Sequence, residues 1–391
     1  MKTKIAGSVA AMMLGLVLTG CQAETTDSGL PTDFDFSEAE TETIPIEVVT
    51  VWAPSAVSES LAGIAGAFEE EYGVNVQFSN IELAEIQSRL AAGNYPDVFF
   101  GTHSWTADLV QSGVVAKINT GVLGSRVAES LKAAFEFEGS SYGVPVSEQH
   151  VSLVCNSELV PEQPDISDLE EVGLGLALDP QLGDPYHLYP FMSSFGLGLE
   201  NPEETEFDSD AGYEFANWMT LTGSGLFDLE SDYASVLAQF NAGEIGCWMT
   251  GPWAFASIDE QLEDSLVVYP VPSAGNLESS ALIDVAGFFV AQSSDDPIFS
   301  NRLVLEYFTR STSQLAVARS LSGIPAVETD NELLSQFAQT AINATPTPAS
   351  DFMDQLWPVL GSTQAELIRN EESSVEIWTR FVTEFEALRG N

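Results

Sequence analysis

The chain has 391 residues, with 12 lysines and arginines against 59 aspartates and glutamates, for a formal charge of −47 at pH 7. That length suffices for two packed lobes, and 45% hydrophobic residues with 10% aromatics are ordinary for a chain that buries a core. So acidic a surface repels nucleic acid and anionic headgroups, which excludes both as partners, and it is least self-repulsive in molar salt, where the Debye length falls to ~3 Å.

The N-terminus carries the most specific local signal. Lys2 and Lys4 make a positive start, and Ile5 to Leu18 is an apolar stretch of signal-peptide length, short for a membrane span. It ends in Leu18-Thr19-Gly20-Cys21, which resembles a bacterial lipobox. That resemblance implies removal of residues 1–20 and a diacylglycerol anchor on Cys21. The stretch from Gln22 to Thr43 is acidic, rich in Ser and Thr and poor in large apolar residues, so 21–44 is expected to be a flexible tether.

Ordered structure is expected to begin at Ile46 to Trp52, a β-branched run of buried-strand type. Ser58 opens a helix whose apolar positions, Leu61, Ile64, Ala65, Phe68 and Tyr72, recur at helical spacing. Val74, Val76 and Phe78 alternate as a strand, Ile81 to Ala92 reads as a helix, and Asp97 to Phe100 as another strand. Strands and helices in alternation predict an α/β fold with a parallel or mixed sheet. Further strands are expected near 151–155, 245–250 and 285–291, and helices near 211–222, 233–242, 298–310, 312–320 and 363–388. Thr345 to Pro348 reads as a loop between helices. Cys155 and Cys247 both sit in apolar runs; buried strand thiols are the default reading, and a disulfide between them is the alternative outside a reducing compartment.

Motifs of catalysis are missing. No G-x-S-x-G, H-E-x-x-H, Walker A or full G-x-G-x-x-G occurs, and Gly173-Leu-Gly175 and Gly196-Leu-Gly198 read as turns. His103, His150 and His187 are scattered and the two later cysteines far apart, so no metal-ligand spacing is present and no cofactor is expected. Among so many acids, close carboxylate pairs arise by chance and carry no information about glycosidase chemistry. Aromatic placement is more telling. Trp52, Trp105, Trp253 and Trp357 sit at turns, strand ends or helix edges, whereas Trp218, Trp248 and Trp378 fall in core patterns. A sugar ring has an apolar C–H face and a rim of hydroxyls, so its sites combine flat aromatics with planar hydrogen-bonding groups.

These segments carry a resemblance. Tyr142-Gly-Val-Pro-Val-Ser-Glu-Gln-His-Val-Ser-Leu-Val-Cys-Asn156 followed by Glu158-Leu-Val-Pro161 resembles the first crossover of bacterial extracellular sugar-binding proteins. Asp184-Pro-Tyr186 with Pro190 is similar to the maltose/maltodextrin-binding segment that supplies a stacking tyrosine. Phe240-Asn-Ala-Gly-Glu244 followed by Met249-Thr-Gly-Pro-Trp-Ala254 is similar to that family's F-x-x-G-x and G-P-W-A signature, whose tryptophan stacks on sugar.

The resemblance covers about residues 45–390. It implies a two-lobe, periplasmic-binding-protein-like fold with a hinged ligand cleft, lobe one being 45–148 plus 285–340 and lobe two 149–284 plus 341–391. It further implies a monomeric, lipid-anchored, extracytoplasmic protein, not an enzyme, that captures an oligosaccharide and presents it to the membrane subunits of an ABC importer. Carried over by position, Tyr186, Trp253 and Trp357 would stack on sugar and Asp184 would accept a hydroxyl. The lobe-one side departs from the maltose pattern. Gly101, Ser104 and Trp105 stand where a Trp and an Asp-Arg pair are usual. Gln149, with Glu148 beside it, replaces the crossover acid, and Trp52-Ala-Pro-Ser-Ala56 replaces an Asp-Lys pair. The competing readings are an exported glycoside-processing enzyme and the same fold binding a non-sugar solute.

Overall fold

The computed structural model describes residues 48–341 and 343–390, so the lipobox, Cys21 and the tether expected over 21–44 lie outside the described residues. Strand β1 (Val48–Ala53) alternates buried and half-buried positions. Helix α1 (Ser55–Tyr72) buries Leu61, Ala65 and Phe68 of the expected stripe and Val57 besides, leaves Ile64 and Tyr72 half-buried, starts after Pro54 so that Ser58 lies inside it rather than opening it, and stops at Gly73, whose φ of 68° is left-handed. Then come β2 (Asn75–Asn80), α2 (Leu83–Ala91), β3 (Val98–Thr102) and α3 (Thr106–Gln111). β1 lies between β2 and β3 and is parallel to both, the arrangement expected of strands separated by helices.

The chain then crosses from one sheet to another. β4 (Gly143–His150) belongs to the first sheet and β5 (Ser152–Asn156), one residue later, to the second. The second sheet collects β6 (Leu174–Gly175), β7 (Cys247–Thr250) and β8 (Leu266–Tyr269), with α4 (Pro185–Ser193) and α5 (Tyr233–Asn241) in the intervening chain. β9 (Leu282–Val290) returns to the first sheet. It is followed by α6 (Ser311–Ser320), β10 (Ile324–Pro325), α7 (Glu332–Thr340), β11 (Thr345–Pro346), α8 (Asp351–Arg369) and α9 (Ser374–Arg389).

The first sheet has the order β10-β4-β9-β3-β1-β2, with β11 also on β9; the second has the order β8-β5-β7-β6. Each sheet has its own core. Phe68, Phe99, Phe288 and Phe308 pack in lobe one; Phe191, Phe207, Phe215 and Trp378 pack in lobe two. A third cluster behind the second sheet joins Trp248 and Val268 to Leu334 and Phe337 of α7. The fold is therefore the α/β, two-lobe architecture that the resemblance implies, with β4–β5 and β8–β9 carrying the chain across.

Several local expectations are corrected, and one is the turn read at Gly173-Leu-Gly175, where Leu174 and Gly175 instead pair with Cys247 and Trp248 as a strand. Thr345 and Pro346 form a strand, parallel to Leu282 and Ile283 of β9, rather than a loop, because the edge of β9 offers unpaired backbone there. The helix expected over 363–388 is two helices, divided at Asn370, whose φ of 54° ends α8 before Ser373 caps α9. The default of free cysteine thiols is overturned: Cys155 of β5 and Cys247 of β7 are bonded as a disulfide spanning 92 residues. They stand directly opposite each other in the antiparallel pairing, with Cα atoms 4.1 Å apart.

Candidate functional site

The site is assembled where the two crossing strands meet α4. Asp184 caps the N-terminus of α4, accepting the backbone N–H of His187 at 3.2 Å, and Pro185 takes the first helical position. Beyond the cap, Tyr186 reaches a crossing strand and His187 stays beside Asp184. Tyr186 is half-buried and donates its hydroxyl to the Gln149 carbonyl of β4 at 3.0 Å. Burial, and then the negative charges of Asp284 and Asp184, push its phenol well above the ordinary range, so it remains a donor.

Trp253 comes from the turn after β7. Its indole folds back over Gly251: a Cβ there would lie 2.1 Å from the ring, so only glycine allows the fold-back. The half-buried indole reaches Tyr186 with ring centroids 6.5 Å apart, and His187 edge-on at 6.0 Å. Tyr186 and His187 are themselves 5.8 Å apart, so the three rings form one aromatic wall. Asp184 Oδ2 lies 2.7 Å from His187 Nδ1. Burial alone would raise the Asp184 carboxyl, but the hydrogen bond and charge of His187 and the helix N–H groups hold it below the ordinary carboxylate range.

The floor is the β4–β9 pair. Gln149 and Asp284 are cross-strand partners, as are Glu148 and Val285. Directly opposed residues project to one face of a sheet and their neighbours to the other. Gln149 and Asp284 therefore share the face that meets Tyr186, and Glu148 lies on the reverse face. There it is 4% exposed and lines a cavity of about 560 Å³ with Arg126, Ser335 and Gln339. Burial pushes its carboxyl up to about 8. The Gln149 amide nitrogen donates to the carbonyls of Leu321 at 2.9 Å and Ser322 at 3.3 Å.

His103, buried just beyond β3, ties lobe one to this floor. Its Nδ1 accepts the backbone N–H of Val285 at 3.1 Å, so its proton must sit on Nε2, which donates to the Thr347 carbonyl at 3.0 Å.

The other expected aromatics have surroundings of their own. Trp105 is half-buried over Gly101 and lines a hollow of about 350 Å³ between α2 and α3, with Tyr95, Leu90 and Leu109. Trp52 packs on the lobe-one core beneath Arg89, whose guanidinium carbon is 5.4 Å from the ring centre. Trp357 is half-buried on α8 one turn before Gly361, and Gly361 lies against Leu182 and Pro185 at the start of α4. That places Trp357 on the helix face nearest the Asp184 cap. Sequence reading passed over His187, His103 and Asp284. Asp184 and His187 stand at the i, i+3 spacing of a helix start, and Asp284 is a lone acid inside an apolar strand. Both were usable signals. For His103, whose partners are 182 and 244 residues away, there was none.

The chain matches the family described as bacterial extracellular solute-binding protein over residues 63–345. It belongs to that family. A maltotriose-binding protein of Pyrococcus abyssi is 22% identical over 323 residues, covering 72% of this chain and 67% of the relative. A cyclo/maltodextrin-binding protein complexed with maltotetraose superposes with a TM-score of 0.75 at 18% identity, covering 89% of this chain and 98% of that one. A Staphylococcus aureus extracellular solute-binding protein in complex with maltose gives 0.74 at 19% identity, covering 87% and 97%. At these identities the solved structures speak for the fold, which is the two-lobe arrangement described above. Among the described residues no group of His, Cys, Asp or Glu is placed to hold a metal ion, and no helix is long and apolar enough to cross a membrane.

Proposed function

We propose that this solute-binding protein captures a neutral maltodextrin-like oligosaccharide between its lobes. The observation that carries the reading is the wall of Tyr186, His187 and Trp253 standing beside hydroxyl-reading groups on the crossing strands. Half-buried rings leave a face free for the C–H side of a pyranose, and the acids nearby accept sugar hydroxyls while repelling anionic solutes. The maltotriose-binding relative supports the same ligand class. Trp357, on the face of α8 that carries Gly361 against the start of α4, would serve a longer chain. In this reading the protein binds and releases without chemistry. A lipid on Cys21 holds it outside the cytoplasm, and it hands its cargo as a monomer to the membrane subunits of an ABC importer.

Titration calorimetry of the purified protein with glucose, maltose, maltotriose, maltotetraose and a cyclodextrin tests the ligand class. At least one glucan of two or more rings is expected to bind at about micromolar or better, equivalent to about −8 kcal/mol. Absence of binding by every one of these sugars would overturn the proposal.

A further inference from the structure

We propose that the acid reading sugar hydroxyls at the cleft floor is Asp284 on the second crossing strand, standing in for an acid on the first. The inference rests on the sugar-binding reading above and concerns which residue sets its specificity. At the first crossing the sequence offers Glu148 and Gln149, and neither presents a free carboxylate to the cleft. Glu148 faces the cavity behind the sheet. Gln149 faces the cleft, but its amide donors are engaged by Leu321 and Ser322. Its cross-strand partner is Asp284, so the carboxylate missing from β4 reappears on the same face, one strand away.

The surroundings suit an acceptor. Asp284 is the exposed position in an otherwise largely buried strand. The hydroxyls of Tyr186 and Thr347 lie near enough to favour its charged form, and it has no salt bridge among the described residues. His103 faces the same strand, with Nδ1 accepting from the Val285 backbone N–H. An ionised carboxylate offers two oxygens that accept hydroxyl protons. Adjacent hydroxyls on a pyranose present two donors at the spacing of the two carboxylate oxygens. The ligand class is therefore a neutral sugar with a vicinal diol toward the hinge, stacked on Trp253. Burial raises the Asp284 carboxyl from its ordinary value, against the pull of His103 and then of the Thr347 and Tyr186 hydroxyls. Protonation turns one acceptor oxygen into a donor, so acid should weaken the sugar contact. The other titratable groups facing this floor are His103, Tyr186, Asp184 and His187, with Glu148 on the reverse face.

The test is calorimetry with maltotriose on wild type, Asp284→Asn, Asp284→Ala and Glu148→Gln between pH 4.5 and 7.5, with folding checked by far-UV circular dichroism. Asp284→Asn keeps the shape and removes the charge, so it should weaken maltotriose roughly ten- to hundredfold at pH 7.5. It should also flatten the acid-side loss of affinity shown by wild type, which a merely structural role would not do. Wild-type affinity in folded Asp284→Asn and Asp284→Ala overturns the assignment and leaves the sugar reading standing. A loss in Glu148→Gln that exceeds the loss in Asp284→Asn overturns it as well, returning the role to the first strand. If wild type binds no maltodextrin, the sugar reading itself fails.

Discussion

Two tryptophans in this molecule are seated by the same local device and end in different surroundings. On lobe two, Gly251 lets the Trp253 indole fold back over the backbone; on lobe one, Gly101 does the same for Trp105, whose ring would lie 2.6 Å from a Cβ there. Yet Trp253 joins Tyr186 and His187, while Trp105 lines a hollow with Tyr95 between α2 and α3. A glycine near a tryptophan thus decides how the ring lies on its own chain. Whether that ring becomes part of a cleft wall is decided by what the neighbouring elements bring up to it. For Trp253 the neighbour is α4, capped by Asp184; for Trp105 it is the side of α2.

The lobes differ also in covalent support, and here the largest effect is expected. β7, which leads directly into Gly251 and Trp253, is tied to β5 by Cys155–Cys247, whereas no cysteine occurs in the described part of lobe one. Closing a loop of this size restricts the unfolded chain, so Cys155→Ala/Cys247→Ala should lose about 2–5 kcal/mol in urea unfolding followed by tryptophan fluorescence. A loss below about 1 kcal/mol would mean that the lobe-two sheet does not depend on its clamp.

The hinge between the two walls supplies the next test. An unfolded glutamate ionises near 4.5, but folded Glu148 keeps its proton up to about pH 8 because of burial. The unfolded state therefore loses the proton first as pH rises. Stability from this residue is complete below about pH 4.5 and is lost as pH climbs toward 8. Glu148→Gln removes that loss. From pH 5 to 8.5 it should gain on wild type by on the order of 3 kcal/mol in denaturation experiments. A difference independent of pH would show that the cavity hydrates the carboxyl enough to cancel its burial.

The smallest effect addresses the comparison of tryptophans directly. Trp253→Ala should weaken maltotriose roughly ten- to hundredfold, since a ring face covered by a pyranose contributes about 1–3 kcal/mol. Trp105→Phe and Trp52→Phe should change affinity by less than about threefold in the same fluorescence titration, because those rings are engaged with the α2–α3 hollow and with Arg89. Comparable losses at all three positions would break the contrast between the walls.

What the sequence by itself determined is everything that depends on local period and local chemistry. The succession from β1 to β3 follows from β-branched runs and a helical apolar stripe. The start of α4, which the reading of the sequence did not place, is equally local, set by Asp184 and Pro185. Only the tertiary structure decided the rest. Cys155 meets Cys247 because two strands 92 residues apart pair in one register, and a one-residue slip would have turned the thiols to opposite faces. The same rule of alternation sends Gln149 to the cleft and its neighbour Glu148 to the reverse face, and it sets Asp284 beside Gln149. Thr345 and Pro346 became a strand for a similar reason, since an edge of β9 was open to them. Side-chain periodicity is written in consecutive residues, but register and facing are set by pairing across long stretches of chain, where a shift of a single position reverses the face on which a group stands.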